Sequence, residues 1–128
     1  AVEMYFDAVE SGKYECFVNR NTRLPMMFMD DAIRATLELM DAPLESLNYH
    51  SNYNLSSMSF SAEELEKEIN SHVKFDCTYK PDYRQDIADT WPISINDDDA
   101  RKDWGWEPKF DISKMTEHMI TNLRRLNE

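Results

Sequence analysis

The residues best suited to chemistry lie in one stretch, 83–92, which combines an arginine, two aspartates and a tryptophan. A proline just ahead of the stretch favours extended backbone, so we expect a loop. Trp91 has a restricted backbone because a proline follows it. Charged and large aromatic side chains on a loop are typical of a pocket wall. We therefore take Arg84, Asp86 and Trp91 as candidate substrate-binding residues. The competing interpretation, which spacing alone favours, is a surface loop with an ion pair and a core tryptophan.

The charge balance disfavours several classes of partner. The chain has 128 residues, 41% hydrophobic and 30% charged, which fits one globular domain. Its formal net charge is -11, whereas nucleic acids and anionic membranes attract clustered lysine and arginine. We expect no nucleic-acid partner, no membrane partner, no membrane span and no signal segment.

Metal and disulfide chemistry are also not expected. Cys16 and Cys77 are far apart and form no Cys-x-x-Cys motif, so two reduced thiols are predicted. The three histidines share no metal-ligand spacing. The aspartates at 97–99 could suggest a calcium loop, but the required glycine is absent and Arg101 stands at a ligand position. A helix N-terminus is the better interpretation of that run.

Hydrophobic periodicity predicts alternating helices and strands, which favours an α/β or α+β lobe. Helices are predicted at 1–11, 32–40, 62–71, 100–104 and from Asp111 to the basic pair Arg124-Arg125. Strands are predicted within 14–18 (a hairpin or strand end), 24–29 (an edge strand, because of Pro25), 53–55 (a strand end) and 73–79.

The spacing of the apolar positions also predicts an apolar face on each long helix. One apolar face is predicted for the first helix (Val2, Tyr5, Phe6 and Val9) and one for the second (Ile33, Leu37 and Met40). Leu65 and Ile69 are predicted to point inward, and the buried face of the last helix is predicted to be Ile112, Met115, Met119, Ile120 and Leu123. Trp104 and Trp106 are expected as core anchors. Asp30 and Asp31 are expected to cap the second helix, and Ser61 with Glu64 to form a capping box.

The motifs, taken in order, resemble the C-terminal part of the short-chain type of L-threonine 3-dehydrogenase, within the extended short-chain dehydrogenase/epimerase superfamily. Thr90 and Asp99 depart from the family pattern, where serine is usual. The motifs that carry the resemblance are 83–92, 22–31, 53–55 with 58–60, and 103–106.

The resemblance implies that residues 1–128 form the α/β substrate-binding lobe of the extended fold, with peripheral elements of the Rossmann domain. The NAD-binding Rossmann domain itself would lie outside the chain. Two absences agree with this. The only glycines are Gly12 and Gly105, so no glycine-rich turn is present, and no Tyr-x-x-x-Lys pair occurs.

The family's activity would be the oxidation of L-threonine to 2-amino-3-oxobutanoate, a step of threonine catabolism. NAD would be held by the N-terminal half, with no metal, so this chain alone is expected to be inactive. Trp91 would cover the substrate as a lid, with Arg84 and Asp86 as supports or contacts. The implied location is mitochondrial in a eukaryote and cytoplasmic in a bacterium.

The expected partners are L-threonine, the N-terminal half and, for the full-length enzyme, a second copy in a homodimer. Helices 1–11 and 32–40 are expected to expose apolar surface that the missing half or another copy covers. One alternative is the lobe of a nucleotide-sugar epimerase or dehydratase, although the candidate stretch has a single arginine for a diphosphate. Another is an acidic, non-catalytic interaction module, which leaves the ordered motifs unexplained.

Overall fold

The computed structural model describes residues 1–126, which form a mixed α/β structure. No helix within this range combines the length and apolar character needed to cross a membrane. The strands are β1 Lys13–Cys16, β2 Arg23–Met26, β3 Met58–Ser61 and β4 Asp76–Tyr79. The helices are α1 Val2–Glu10, α2 Met29–Asp41, α3 Ala62–Asn70, α4 Tyr83–Ala88, α5 Asp98–Trp104 and α6 Ile112–Leu126, with a 3-10 turn at Leu44–Ser46.

The strands form two small sheets. β1 pairs in parallel with β4, which places Cys16 opposite Tyr79. Of the two alternatives expected at 14–18, the hairpin is therefore wrong, because a parallel neighbour is reached only through a long crossover. The strand end is confirmed, since β1 ends at Cys16. β2 pairs antiparallel with β3, with Pro25 opposite Ser59. Both strands of a two-stranded sheet are edges, which is the position that tolerates proline.

The larger core lies among α1, α3 and α6. The predicted inward residues Leu65 and Ile69 are buried, and so are Met115, Ile120 and Leu123 of α6. Within this core the hydroxyls of Tyr5 and Thr116 share a hydrogen bond of 2.8 Å. Burial raises the pKa of Tyr5 to about 12, so the phenol stays protonated. The other buried members of this core are Met4, Ala8, Phe60 and Phe75.

A second, smaller core surrounds Trp106, which is 1% exposed. Its Nε1 donates to the Ser56 carbonyl at 3.0 Å, and the Arg34 guanidinium lies 4.7 Å from its ring centroid. Ala35, Ala100 and the partly buried Trp104 complete this cluster. The prediction of a core anchor is confirmed for Trp106, while Trp104 is partly buried at the edge of this cluster.

The expectation that the first two helices expose apolar surface is confirmed. On α1, Val2 and Phe6 are 61% and 50% exposed, while Met4, Tyr5 and Ala8 point inward. On α2 the whole predicted face is exposed, and Asp31 and Ala35 are buried instead. Periodicity identifies an apolar stripe, but it does not show whether this chain covers that stripe. The exposed α2 positions are Ile33, Leu37 and Met40, at 53%, 55% and 74%.

Several local predictions can be compared with the backbone. The Ser61–Glu64 capping box is present, and α5 ends at Gly105, whose φ is 75°. Asp30 and Asp31 lie inside the first turn of α2, whose N-cap is Phe28, so the capping prediction is wrong. Residues 53–55 are not a strand end.

Candidate functional site

The stretch 83–92 is not a loop throughout. Tyr83–Ala88 form α4, and the side chain of its N-cap Asp82 accepts from the Arg84 backbone N–H at 2.9 Å. The upstream proline lies ahead of this cap, so it does not interrupt the helix. The loop prediction is correct only after α4, where the Trp91 N–H donates to the Ala88 carbonyl at 3.1 Å.

Arg84 is held by two contacts within the chain. Its Nη2 lies 2.6 Å from Asp82 Oδ2, and its guanidinium carbon lies 3.4 Å from the centroid of the Phe17 ring. The hydrogen bonds from Arg84 lower the pKa of the Asp82 carboxyl. This arrangement fixes α4 against the end of β1.

Trp91 is 57% exposed, which excludes it from the core defined by residues 1–126. The competing interpretation, in which Trp91 is a core residue, is therefore wrong. Tyr83, Ile87 and Ile93 are also exposed, at 72%, 52% and 66%. A group of exposed large apolar side chains marks a surface that contacts a ligand or another part of a protein.

The three candidate residues share one segment but differ in surroundings. Arg84 is partly buried against Phe17, whereas Asp86 and Trp91 are exposed. The apolar cavity that Phe17 lines has a volume of about 120 Å³, below the usual size of a ligand site.

A separate polar cleft of about 250 Å³ lies between the segments 49–54 and 96–99. Tyr53, which lines it, donates to Asp103 at 2.5 Å, and Asp103 also accepts from the Asn48 backbone N–H at 2.9 Å. No motif in the sequence indicates this cleft. Its lining residues are Tyr49, Asn52, Tyr53, Asn54, Asn96, Asp97 and Asp99.

The thiols lie in surroundings that keep them protonated. Burial raises the pKa of Cys77 to about 11 and also raises that of Cys16. Neither is suited to nucleophilic attack at neutral pH. Over residues 1–126 no group of three or more histidine, cysteine or acidic residues could hold a metal ion.

Two residues outside the predicted site, Gln85 and Ser59, hold the segment in place. Gln85 accepts from the backbone N–H of Asn19 at 2.7 Å, and the Ser59 hydroxyl donates to the Ile93 carbonyl. No sequence pattern marks hydrogen bonds between residues so distant along the chain.

The described residues do not fit the diphosphate of a dinucleotide. Gly12 follows α1 and Gly105 follows α5, both with positive φ. Neither glycine lies between a strand and the N-terminus of the next helix, where a phosphate-binding turn is formed.

No protein-family model matches the chain. The mitochondrial L-threonine 3-dehydrogenase of Bos taurus is 48% identical over 122 residues, which are 94% of this chain and 32% of that protein. A solved monomeric L-threonine 3-dehydrogenase from a metagenome, in its apo form, superposes with a TM-score of 0.94 at 94% identity, over 98% of this chain and 41% of that one. The chain is homologous to the L-threonine 3-dehydrogenases. It spans about a third of the bovine relative and corresponds to the C-terminal part of such proteins.

The extended short-chain dehydrogenase/epimerase fold class is confirmed by a second structure. The GalE-like L-threonine dehydrogenase of Cupriavidus necator, in its apo form, gives a TM-score of 0.91 at 43% identity, over 94% of this chain and 44% of that one. An uncharacterised epimerase/dehydratase of Staphylococcus haemolyticus is 45% identical over 122 residues, 94% of this chain and 38% of that protein.

Proposed function

We propose that this chain is part of an NAD-dependent L-threonine 3-dehydrogenase and supplies the surface that covers the substrate. The homology supports the reaction, and the exposure of Trp91 supports the location. A tryptophan that is 57% exposed, on a turn with internal hydrogen bonds, is available to a ligand held by another domain. The overall reaction would convert the β-hydroxyl of L-threonine to a ketone and give 2-amino-3-oxobutanoate.

The part played by this chain would be binding and water exclusion. An indole ring over a small amino acid removes water from the site, which strengthens the polar contacts made there. Arg84 would act as a support, because its guanidinium is already paired with Asp82 and packed on Phe17. The exposed carboxylate of Asp86 is available to the ammonium group of the substrate.

NAD would be bound by polypeptide outside this chain, which alone would be inactive. That polypeptide would also cover the exposed stripe of α2. A homodimer is the expectation from the resemblance, but the relative at 94% identity is described as monomeric, which favours cover by the same polypeptide. The bovine relative is named mitochondrial; we propose that location for a eukaryotic source and the cytoplasm for a bacterial one.

The test is the kinetics of the full-length protein with L-threonine and NAD. Trp91→Ala should raise KM and lower kcat, reducing kcat/KM by on the order of 10–100-fold, while Trp91→Phe should retain most activity. Tyr49→Ala, which removes an exposed aromatic of the separate polar cleft, is the matched control. Unchanged kinetics for Trp91→Ala would remove this residue from the site.

A nucleotide-sugar epimerase or dehydratase is the second candidate, because one relative at 45% identity carries that description. Such a substrate needs cationic groups for its diphosphate. Arg84 is the only arginine in 83–92 and is already paired with Asp82. Assays with L-threonine and with UDP-sugars separate the two candidates, since each predicts turnover of only one substrate.

A further inference from the structure

The Trp91 loop, defined here as residues 89–93, is attached to the rest of the chain near both ends. We propose that Gln85 and Ser59 are positioning residues that fix this loop, and so the indole of Trp91, in the conformation that covers the substrate. This inference rests on the proposed function, in which Trp91 contacts the bound substrate.

Gln85 fixes the beginning of the loop. Its Nε2 donates to Asp89 Oδ1 at 2.6 Å, while its Oε1 accepts from the Asn19 N–H at 2.7 Å and the Thr22 hydroxyl at 3.1 Å. One side chain therefore joins the first loop residue to the segment that leads into β2. That segment is itself fixed, because the Thr22 carbonyl accepts from the Ala62 N–H at 3.3 Å.

Ser59 fixes the end of the loop. Its hydroxyl donates to the carbonyl of Ile93, and its own carbonyl accepts from Arg23 Nη1 at 2.5 Å. Ser59 lies in β3, opposite Pro25 of β2. Both ends of the loop are therefore attached to the β2–β3 sheet or to the segment entering it.

Packing does not explain the position of Trp91, because more than half of its side chain is exposed. Within the described residues, its position depends on the backbone, which is held near Asp89 and at Ile93. Loss of either attachment should leave the fold intact but allow the indole more conformations. A looser lid binds substrate less well, since the ordering of the loop is then opposed by entropy on binding.

The experiment compares four variants of the full-length protein. Ser59→Ala and Gln85→Met remove the two attachments, and Ser59→Thr keeps the hydroxyl. Ser57→Ala is the matched control, because the Ser57 hydroxyl donates to a different carbonyl, that of Phe110, at 2.9 Å. The measurements are amide hydrogen exchange over 88–94, and KM and kcat for L-threonine.

We expect Ser59→Ala and Gln85→Met to speed exchange at Thr90 and Trp91, whose N–H groups donate to carbonyls of the preceding turn. KM should rise several-fold with a smaller change in kcat. Ser59→Thr should restore both measurements, and Ser57→Ala should change neither. A merely structural role would lower the active fraction, and hence kcat, without this rise in KM.

Two results would overturn the inference. Unchanged exchange in both variants would show that the side chains do not order the loop. Faster exchange with unchanged KM, in a protein whose Trp91→Ala variant is impaired, would show that the attachments do not serve the reaction, while the proposed function stands. If Trp91→Ala is unimpaired as well, the proposed function itself fails.

Discussion

The Asp31 carboxylate, on α2, accepts a hydrogen bond from the backbone N–H of Phe110, with Oδ2 and N 2.9 Å apart. It also accepts from the Lys109 N–H at 3.0 Å and pairs with Arg34 at 2.8 Å. The residue is 1% exposed. A buried carboxylate thus joins α2 to the segment that enters α6, instead of capping its own helix.

Replacing Asp31 should lower stability in a pH-dependent way. Burial opposes ionisation of this carboxyl, but the hydrogen bonds from Arg34, Phe110 and Lys109 outweigh it and hold its pKa below the ordinary 3.8. The stabilisation is therefore present above that value and is lost as pH falls below it. Asp31→Asn should reduce the free energy of unfolding by about 3 kcal/mol at pH 7.

Urea unfolding of the wild-type and Asp31→Asn proteins at pH 7 and pH 3 measures the difference between their free energies of unfolding. The difference should narrow at pH 3, because the Asp31 carboxyl binds a proton more readily in the unfolded chain than in the folded one. Asp30→Asn, on an exposed neighbour in the same helical turn, is the control. A difference in unfolding free energy that stays constant with pH would show that the charge of Asp31 contributes nothing to stability.

The two glycines should differ in their tolerance of alanine. Both have positive φ, so a side chain costs about 1 kcal/mol at either position. An added Cβ at Gly12 would also lie 3.1 Å from the Lys74 carbonyl oxygen, whereas nothing lies within 4 Å at Gly105. Thermal unfolding should therefore show a larger loss for Gly12→Ala than for Gly105→Ala. Equal losses would mean that the neighbouring backbone moves without cost.

Arg84 and Asp82 should behave as one unit in the full-length enzyme. Because their side chains pair at 2.6 Å, Arg84→Met and Asp82→Asn should each impair threonine oxidation to a similar extent, and the double variant should be little worse than either. Steady-state kinetics of the four proteins gives this comparison. An Arg84→Met defect that far exceeds that of Asp82→Asn would instead indicate direct contact between Arg84 and substrate.

The elements that the sequence predicted well are those with a long apolar periodicity or a local cap. α3 has the Ser61–Glu64 box, and α6 begins where the Asp111 side chain accepts from the Lys114 N–H at 2.8 Å. By contrast, α4 has six residues, too few to show an amphipathic period, and helices this short depend on tertiary contacts. Its cap at Asp82 is a local signal, but the attachment by Gln85 is not.

The candidate site was predictable only in part, because its geometry depends on distant pairings. The expected loop is present at Trp91, whereas the lid, which the resemblance implies, stays a prediction. The partner of β1 is β4, and strand pairing across so long a crossover leaves no local pattern. Ser59 likewise cannot be told from the other serines in the sequence. Its contact with Ile93 exists only because β3 places the two residues side by side.

The apolar stripe of α2, formed by Ile33, Leu37 and Met40, gives a further prediction. These side chains are 53–74% exposed, and the homologous proteins contain much more polypeptide than this chain. We expect the rest of the full-length protein to bury the stripe. Burial of each such side chain contributes about 2 kcal/mol.

The double variant Ile33→Gln/Leu37→Gln should therefore act differently in the two contexts. In the 128-residue chain it should change the free energy of unfolding by less than about 0.5 kcal/mol, as surface substitutions do. It should also reduce the self-association of this chain, measured by sedimentation. In the full-length protein it should lower the free energy of unfolding by about 4 kcal/mol, because two buried apolar side chains are lost. Lys67→Gln, at an exposed position on α3, is the control and should be nearly neutral in both. A full-length protein that tolerates the double variant would show that the stripe faces solvent there too.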